Sequence, residues 1–270
     1  MPFTTLITAS HAASARPSPD WVVIDCRFRL SDPAYGRRAH AAGHIPGAVY
    51  AHLNDDLSGP VVPGQTGRHP LPDPQRLAYQ LGRWGVHKEA QVVAYDDLGG
   101  AIASRLWWLL RWLGHRAVAV LDGGWDAWTH AGLPIETVAP VPASRRFTPH
   151  LHPHLIADAD EVAAGVPCLL DARAAERYRG EHEPIDPVAG HIPGALNTPF
   201  KDSLTAAGFM RSPEALRTRF GPVLAGRAPE DTVVYCGSGV TACHVLLAMA
   251  HAGLEGARLY PGSWSEWIAR

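Results

Sequence analysis

Cys236-Gly237-Ser238-Gly239-Val240-Thr241-Ala242 follows directly on the apolar run Thr232-Val233-Val234-Tyr235. The order implies a cysteine leaving a strand, a loop of small residues, and a helix starting behind it. Backbone N–H groups in such a loop can converge on one point, and the helix N-terminus adds partial positive charge there. Both effects favour thiolate over thiol at Cys236, which makes it a nucleophile. The competing reading is a buried structural cysteine, but the two glycines close behind it suit a loop shaped around an anion better than a packed core. Gly237, Gly239, Val240 and Thr241 are the expected backbone donors. Ser238 brings a hydroxyl that can donate or relay a proton.

The elements that must position this loop occur twice. Val22-Val23-Ile24-Asp25-Cys26-Arg27 is answered by Cys168-Leu169-Leu170-Asp171-Ala172-Arg173, each a buried-strand pattern ending in Asp-x-Arg. Gly43-His44-Ile45-Pro46-Gly47-Ala48 is answered by Gly190-His191-Ile192-Pro193-Gly194-Ala195. The strands Val92–Tyr95 and Val233–Tyr235 come next, then helical segments ending at Gly114 and Gly253, both suited to the C′ position. Gly124-Trp125-Asp126-Ala127-Trp128 and Ser263-Trp264-Ser265-Glu266-Trp267 close the two copies. The same landmarks in the same order mean a duplicated domain. Strands alternating with helices predict an α/β fold: two tandem domains, each a mostly parallel sheet with helices on both faces. The expected limits are 1–139 for a non-catalytic domain, 140–153 for a Pro-rich extended linker, and 154–270 for the catalytic domain.

The copies differ where chemistry would occur. Asp96-Asp97-Leu98-Gly99-Gly100 stands where the second copy has its cysteine loop. This stretch has neither the nucleophile nor the same loop, and an anion-binding loop is not expected to begin with two carboxylates, so one site per chain is predicted, in the second copy. His44 and His191 recur at a position without a cysteine in one copy, which implies a turn role. The Trp pairs 125/128 and 264/267 have the i, i+3 spacing of packing residues. Cys26 and Cys168 fall in buried strands, and Cys243 on the helix behind Cys236.

Composition narrows the rest. Hydrophobic residues at 46% with 19% charged residues describe a soluble globular chain, and a formal net charge of -2 supplies no attraction for nucleic acid or an anionic membrane. No apolar stretch reaches membrane-spanning length. The 4 cysteines show no CxxC and no zinc spacing with the scattered histidines, so no metal is expected and a reduced, cytoplasmic setting is the simplest account. Near the N-terminus a short strand, a helix started by Ser10 and a Pro-containing turn are predicted.

With the paired His-Ile-Pro-Gly-Ala segments, the cysteine loop and the terminal Gly262-Ser263-Trp264-Ser265-Glu266-Trp267, the chain resembles tandem-domain sulfurtransferases of the rhodanese family over residues 4–270. The resemblance implies sulfur transfer through a Cys236 persulfide, no cofactor, a small-molecule donor, and a thiol such as thioredoxin, or cyanide, as acceptor. The Cys-Gly-Ser-Gly-Val-Thr-Ala form is the one found in family members acting on 3-mercaptopyruvate; members preferring thiosulfate carry basic residues after the cysteine. A thiosulfate enzyme and a non-catalytic persulfide carrier are the alternatives. The phosphatases of this fold clamp phosphate with an arginine six residues after the cysteine, where this chain has Ala242. Arg177 matches the family's substrate arginine. A second arginine usually follows it, but Pro184–Gly190 contains no basic residue, which leaves Arg179 as a substitute. The resemblance also points to His69, in Gly67-Arg68-His69-Pro70, as the histidine of a Ser238–His69–carboxylate relay, its acidic position falling at Asn54, Asp55 or Asp56 without a clear match.

Overall fold

The computed structural model describes residues 2–15, 18 and 20–270. The first copy builds β1 (Leu6–Ile7), α1 (Ala9–Ala15), β2 (Trp21–Asp25), α2 (Tyr35–Ala42), β3 (Val49–Tyr50), α3 (Pro74–Arg83), β4 (Gln91–Tyr95), α4 (Ala103–Trp112), β5 (Val118–Leu121) and α5 (Gly124–His130). The second builds α6 (Ala159–Ala164), β6 (Cys168–Asp171), α7 (Ala175–Tyr178), β7 (Leu196–Asn197), α8 (Pro213–Leu224), β8 (Thr232–Tyr235), α9 (Thr241–His251), β9 (Arg258–Leu259) and α10 (Ser263–Trp267). The strand runs are apolar on both faces because helices cover both faces of each sheet.

The first sheet has the order β1-β5-β4-β2-β3 and the second β7-β6-β8-β9, every pair parallel. A single parallel bridge from Ile156 to Leu259 flanks β9 as β1 flanks β5, so the two topologies correspond strand for strand. Gly114 (φ +85°) and Gly253 (φ +78°) end α4 and α9 in the left-handed conformation that a C′ glycine tolerates. The N-terminal helix differs from expectation. It begins at Ala9, and Thr8 rather than Ser10 caps it, its Oγ1 accepting the His11 N–H at 3.3 Å. The proline turn expected after it lies largely outside the described residues.

Residues form two compact units that do not follow the chain in one cut. The first takes in residues up to 59, 72–152 and 207–209; the second takes in 60–71, 153–206 and 210–270. The stretch after α5 is bonded along the first unit, with Arg145 N–H on Gly82 O (2.8 Å) and His150 N–H on Leu113 O (2.8 Å).

The repeated landmarks meet in one buried network per unit. In the first, Asp25 at the end of β2 accepts Arg27 Nε (3.0 Å to each oxygen), Arg27 Nη2 (2.5 Å) and the Tyr95 hydroxyl (2.9 Å). Arg27 also donates to Gly43 O (2.6 Å) and stacks 4.3 Å over the Trp125 ring. In the second, Arg173 binds Asp171 through Nε (3.1 Å) and Nη2 (2.7 Å), donates to Gly190 O (2.7 Å) and lies 4.9 Å over Trp264. The pair thus ties the strand end to the Gly-His-Ile-Pro-Gly turn and to the last helix. Removing one partner of such a pair strands a buried charge, which costs about 3–5 kcal/mol. His44 and His191 hold their turns through Nδ1, on His40 O and Tyr178 O at 2.7 Å each. Trp128 and Trp264 are buried in the two cores, so the Trp pairs pack as expected.

Candidate active site

Cys236 is the first residue past β8 and is 2% exposed. Its N–H donates to Ser263 Oγ (3.1 Å), and its carbonyl accepts the Trp264 N–H (3.0 Å). Ser263 in turn donates to Tyr260 O (2.9 Å). The start of α10 therefore clamps the backbone of the nucleophile. Ser263 sits at φ +56°, a left-handed conformation that is unfavourable for a residue with a β-carbon. The first unit uses Gly124 (φ +55°) at the same place, where an added β-carbon would lie 2.2 Å from Asp96 O. Serine is kept in the second unit at a conformational cost, and its hydroxyl is what holds Cys236. The Gly124/Ser263 difference between the copies was the available sequence signal for this residue.

Gly239 (φ +75°) packs so closely that a β-carbon there would lie 2.4 Å from Pro261 O, so only glycine fits this point of the loop. Val240 and Thr241 lead into α9. Cys243 is buried in that helix, its thiol donating to Gly239 O at 3.3 Å.

The first unit shows what such a loop does, and here expectation is corrected. Asp96 does not keep the loop from holding an acceptor; its own carboxyl group fills the loop, with burial pushing its pKa above the usual aspartate value against the opposing pull of four N–H groups. Oδ1 accepts the N–H groups of Leu98 and Gly100 (2.8 Å each), and Oδ2 those of Ile102 (2.7 Å) and Ala103 (2.8 Å). Asp96 is fully buried. Aligned on Gly114 and Gly253, Gly100 corresponds to Gly239, and Ile102 and Ala103 to Thr241 and Ala242. The first copy carries a tethered carboxylate where the second carries a thiol.

Residues 60–71 supply two further groups to the Cys236 loop, although they come from the first half of the sequence. Arg68 N–H donates to Ser265 Oγ (3.0 Å), and Gly67 passes so near Gly262 O that a β-carbon would lie 2.4 Å from it. This docking on α10 places His69 Nδ1 2.8 Å from Ser238 Oγ, with both side chains buried. With the imidazole proton on Nε2, the serine hydroxyl donates to Nδ1; the other tautomer reverses the bond. Of the residues considered for the acidic position of the relay, Asp55 pairs with Arg37 (2.9 Å), Asp56 accepts the His52 N–H (2.7 Å), and Asn54, an amide, precedes them in the first unit.

Two guanidiniums converge on Gly237. A β-carbon there would lie 3.2 Å from Arg68 Nη2 and 3.5 and 3.6 Å from Arg177 Nη2 and Nη1. Arg177 reaches the loop from α7. Arg179 does not: it forms a half-exposed pair with Glu181 (2.7 Å), because it caps the C-terminus of the short α7 and points to solvent. The second arginine at the loop is instead Arg68. Glu183 accepts Arg177 Nε (3.0 Å) and Nη2 (2.8 Å), and Asp186 bridges Arg177 Nη2 (3.0 Å) and Arg68 Nη1 (2.5 Å).

Burial pushes the Glu183 carboxyl up, but Arg177 and the N–H groups of Asp186 and Ile185 outweigh it, and the group sits below the usual glutamate value. The stability it contributes is therefore present above the unfolded pKa and is lost as pH falls through the lower folded pKa. Glu183→Gln is expected to flatten the acid limb of a plot of melting temperature against pH and to lower stability near neutrality. An acid limb identical to wild type would show that this pair is not a source of acid sensitivity.

Among the described residues, no group of three or more His, Cys, Asp or Glu side chains is arranged to hold a metal, and no helix is long and apolar enough to cross a membrane. The rhodanese-like domain model matches the chain twice, at residues 8–131 and 154–270. The chain belongs to the rhodanese family. It is 52% identical over 268 residues to a probable 3-mercaptopyruvate sulfurtransferase of Pseudomonas aeruginosa, covering 97% of this chain and 94% of that one. It is 42% identical over 272 residues to SseB of Mycobacterium tuberculosis, a putative thiosulfate sulfurtransferase, covering 97% and 93%. The crystal structure of SseA from Escherichia coli, of the 3-mercaptopyruvate enzymes, superposes with a TM-score of 0.82 at 30% identity, covering 98% of this chain and all of that one.

Proposed function

We propose that this sulfurtransferase takes its sulfur from 3-mercaptopyruvate, with Cys236 as the carrier. The observation that carries the choice of donor is the buried Ser238 Oγ–His69 Nδ1 contact of 2.8 Å, two residues from the nucleophile. Cleaving thiosulfate releases sulfite and needs no proton. Cleaving the C–S bond of 3-mercaptopyruvate does. The Cys236 thiolate attacks the mercapto sulfur, an S–S bond forms, and the C–S electron pair passes to carbon as the enolate of pyruvate. The proton lost from the mercapto group is returned to that carbon, and the Ser238–His69 pair is the relay for it. Arg177 offers positive charge to the oxygen atoms of the substrate. The persulfide left on Cys236 is held as an anion by the backbone of Gly237, Gly239, Val240 and Thr241 and by the start of α9. A thiol then attacks its outer sulfur and regenerates Cys236; a small thiol protein of the thioredoxin kind fits this step, and cyanide serves in its place, leaving as thiocyanate. Four free cysteines suit a reducing compartment such as the cytoplasm.

The charge balance supports the same donor. Arg68 and Arg177 are offset by Glu183 and Asp186, so the pocket has no surplus charge for the dianion thiosulfate. Thiosulfate remains the second reading because of the likeness to SseB. Steady-state turnover with each donor, cyanide accepting, separates them. For wild type, kcat/KM is expected to be much larger with 3-mercaptopyruvate. Ser238→Ala is expected to lower kcat with that donor by about 10²–10⁴-fold and to leave thiosulfate turnover nearly unchanged. A wild-type preference for thiosulfate sinks the proposal. Loading of Cys236 without turnover of either donor would make the protein a carrier.

A further inference from the structure

We infer that the first unit carries a binding site for a phosphorylated organic anion of nucleotide size, at the edge of its sheet where β4 and β5 begin. A cavity of about 470 Å³ lies there, walled by residues 113–117 between α4 and β5, by the extended stretch 146–150, and by Lys88. All of these residues belong to the first unit, and the Asp96 loop is at the opposite end of the same strands. The extended stretch is fixed by His150 N–H on Leu113 O (2.8 Å). It passes so near Gly114 that a β-carbon there would lie 2.6 Å from His150 O. The walls are therefore held by backbone contact.

The charge of the lining has one sign. Lys88, Arg116 and Arg146 are cations, His115 and His150 add imidazoles, and among the described residues no carboxylate lines the cavity. Glu89, next to Lys88 in sequence, pairs with His87 (3.2 Å). In a chain of formal net charge -2 such a grouping is not a consequence of composition. Concave walls of low dielectric focus the field of like charges, so an anion entering gains from all three cations. His115 is 4% exposed, and burial lowers its pKa against the pull of the Ala90 and Ala117 carbonyls, so the ring is neutral near pH 7. Its enclosed Nε2 has no hydrogen-bond partner, an unfavourable state that a bound polar group relieves. Phe147 is half-buried, meets His115 edge-on with ring centroids 5.8 Å apart, and forms an apolar wall with Leu113. Three cations exceed what one carboxylate needs and match two linked phosphates. The apolar wall suits the planar part of an organic ligand, and the volume falls within the range of about 300–1,000 Å³ typical of small-molecule sites.

The probes are ADP, adenosine and pyrophosphate, titrated calorimetrically into the full chain at low salt. ADP is expected to bind once per chain and to weaken as salt rises. Adenosine, which lacks phosphate, should not saturate, and pyrophosphate should bind more weakly than ADP because it leaves Phe147 uncovered. Arg116→Gln and Arg146→Gln are each expected to weaken ADP about 10- to 100-fold, the loss of one charged hydrogen bond. Phe147→Ala should bring ADP down to the affinity of pyrophosphate. Sulfur transfer to cyanide should stay at the wild-type rate in all three variants, since none of these residues belongs to the second unit. Failure of ADP to bind wild type would overturn the inference, as would ADP binding both arginine variants as tightly as wild type. Pyrophosphate binding as tightly as ADP would overturn the organic part of the assignment, and adenosine binding as tightly as ADP would overturn the phosphate.

Discussion

Cys236→Ser is expected to lose turnover with either donor by about 10⁴- to 10⁶-fold in kcat, the scale seen when a nucleophile is removed from an otherwise intact site. Serine fits the loop, so the variant folds. Its hydroxyl is not ionised near neutrality and cannot form a persulfide. The sharper readout is mass. Incubated with 3-mercaptopyruvate and no acceptor, wild type should gain one sulfur atom, reversed by cyanide, and Cys236→Ser should gain none. The remaining thiols do not compensate. Cys26 is fully buried, and burial together with Asp25 and Asp96 pushes its thiol well above the usual value, so it stays protonated. Cys168 is buried at the start of β6 and Cys243 within α9. Sulfur gained by the serine variant would mean that another thiol is the carrier and that the loop has been misread.

The fold was legible because the chain states it twice. A single Val-Val-Ile-Asp run could belong to many architectures; its recurrence with the same Asp-x-Arg, His-Ile-Pro-Gly and Trp-x-x-Trp partners fixes what each is for. These are the members of one buried network, and each constrains the others. The cysteine loop was legible for a related reason, since strand, small-residue loop and helix are local in sequence. Arg68 was not. Nothing in the spacing of residues 60–71 indicates that the segment leaves its own half of the chain and docks on Gly262 and Ser265. Family resemblance directed attention to the stretch after Arg177, where Asp186 stands instead of an arginine. The charge the pocket lacked there is supplied from a distant segment and paired with that same Asp186. Ser263 escaped notice for a different reason: within a Trp-containing helix it reads as packing, and only its backbone conformation shows that the hydroxyl holds Cys236.

Asp96 reverses the usual sense of a lost active site, and its removal should be costly. Sequence logic treats a carboxylate at the nucleophile position as decay. In the structure it accepts four backbone N–H groups that would otherwise face a buried, empty loop. Asp96→Ala is therefore expected to destabilise the first unit by about 3–5 kcal/mol, since each buried donor left without a partner costs about 1–3 kcal/mol and local relaxation recovers part of the sum. Asparagine distinguishes this account from simple packing. Its volume is nearly that of aspartate, but it keeps only one acceptor oxygen and turns an NH₂ group toward two of the four N–H donors. Asp96→Asn should thus lose more than half of what alanine loses, although the shape is preserved. Hydrogen exchange at the β4 and β5 amides and the melting temperature report the change. Turnover of the folded variants should stay near wild type, because Cys236, Ser238, His69, Arg68 and Arg177 all belong to the second unit. An asparagine variant as stable as wild type would show that the loop does not depend on two acceptor oxygens. The expected result would mean that the loop architecture of this fold needs an acceptor for its converging N–H groups, which the first unit builds in as the Asp96 side chain and the second unit supplies with the sulfur of Cys236.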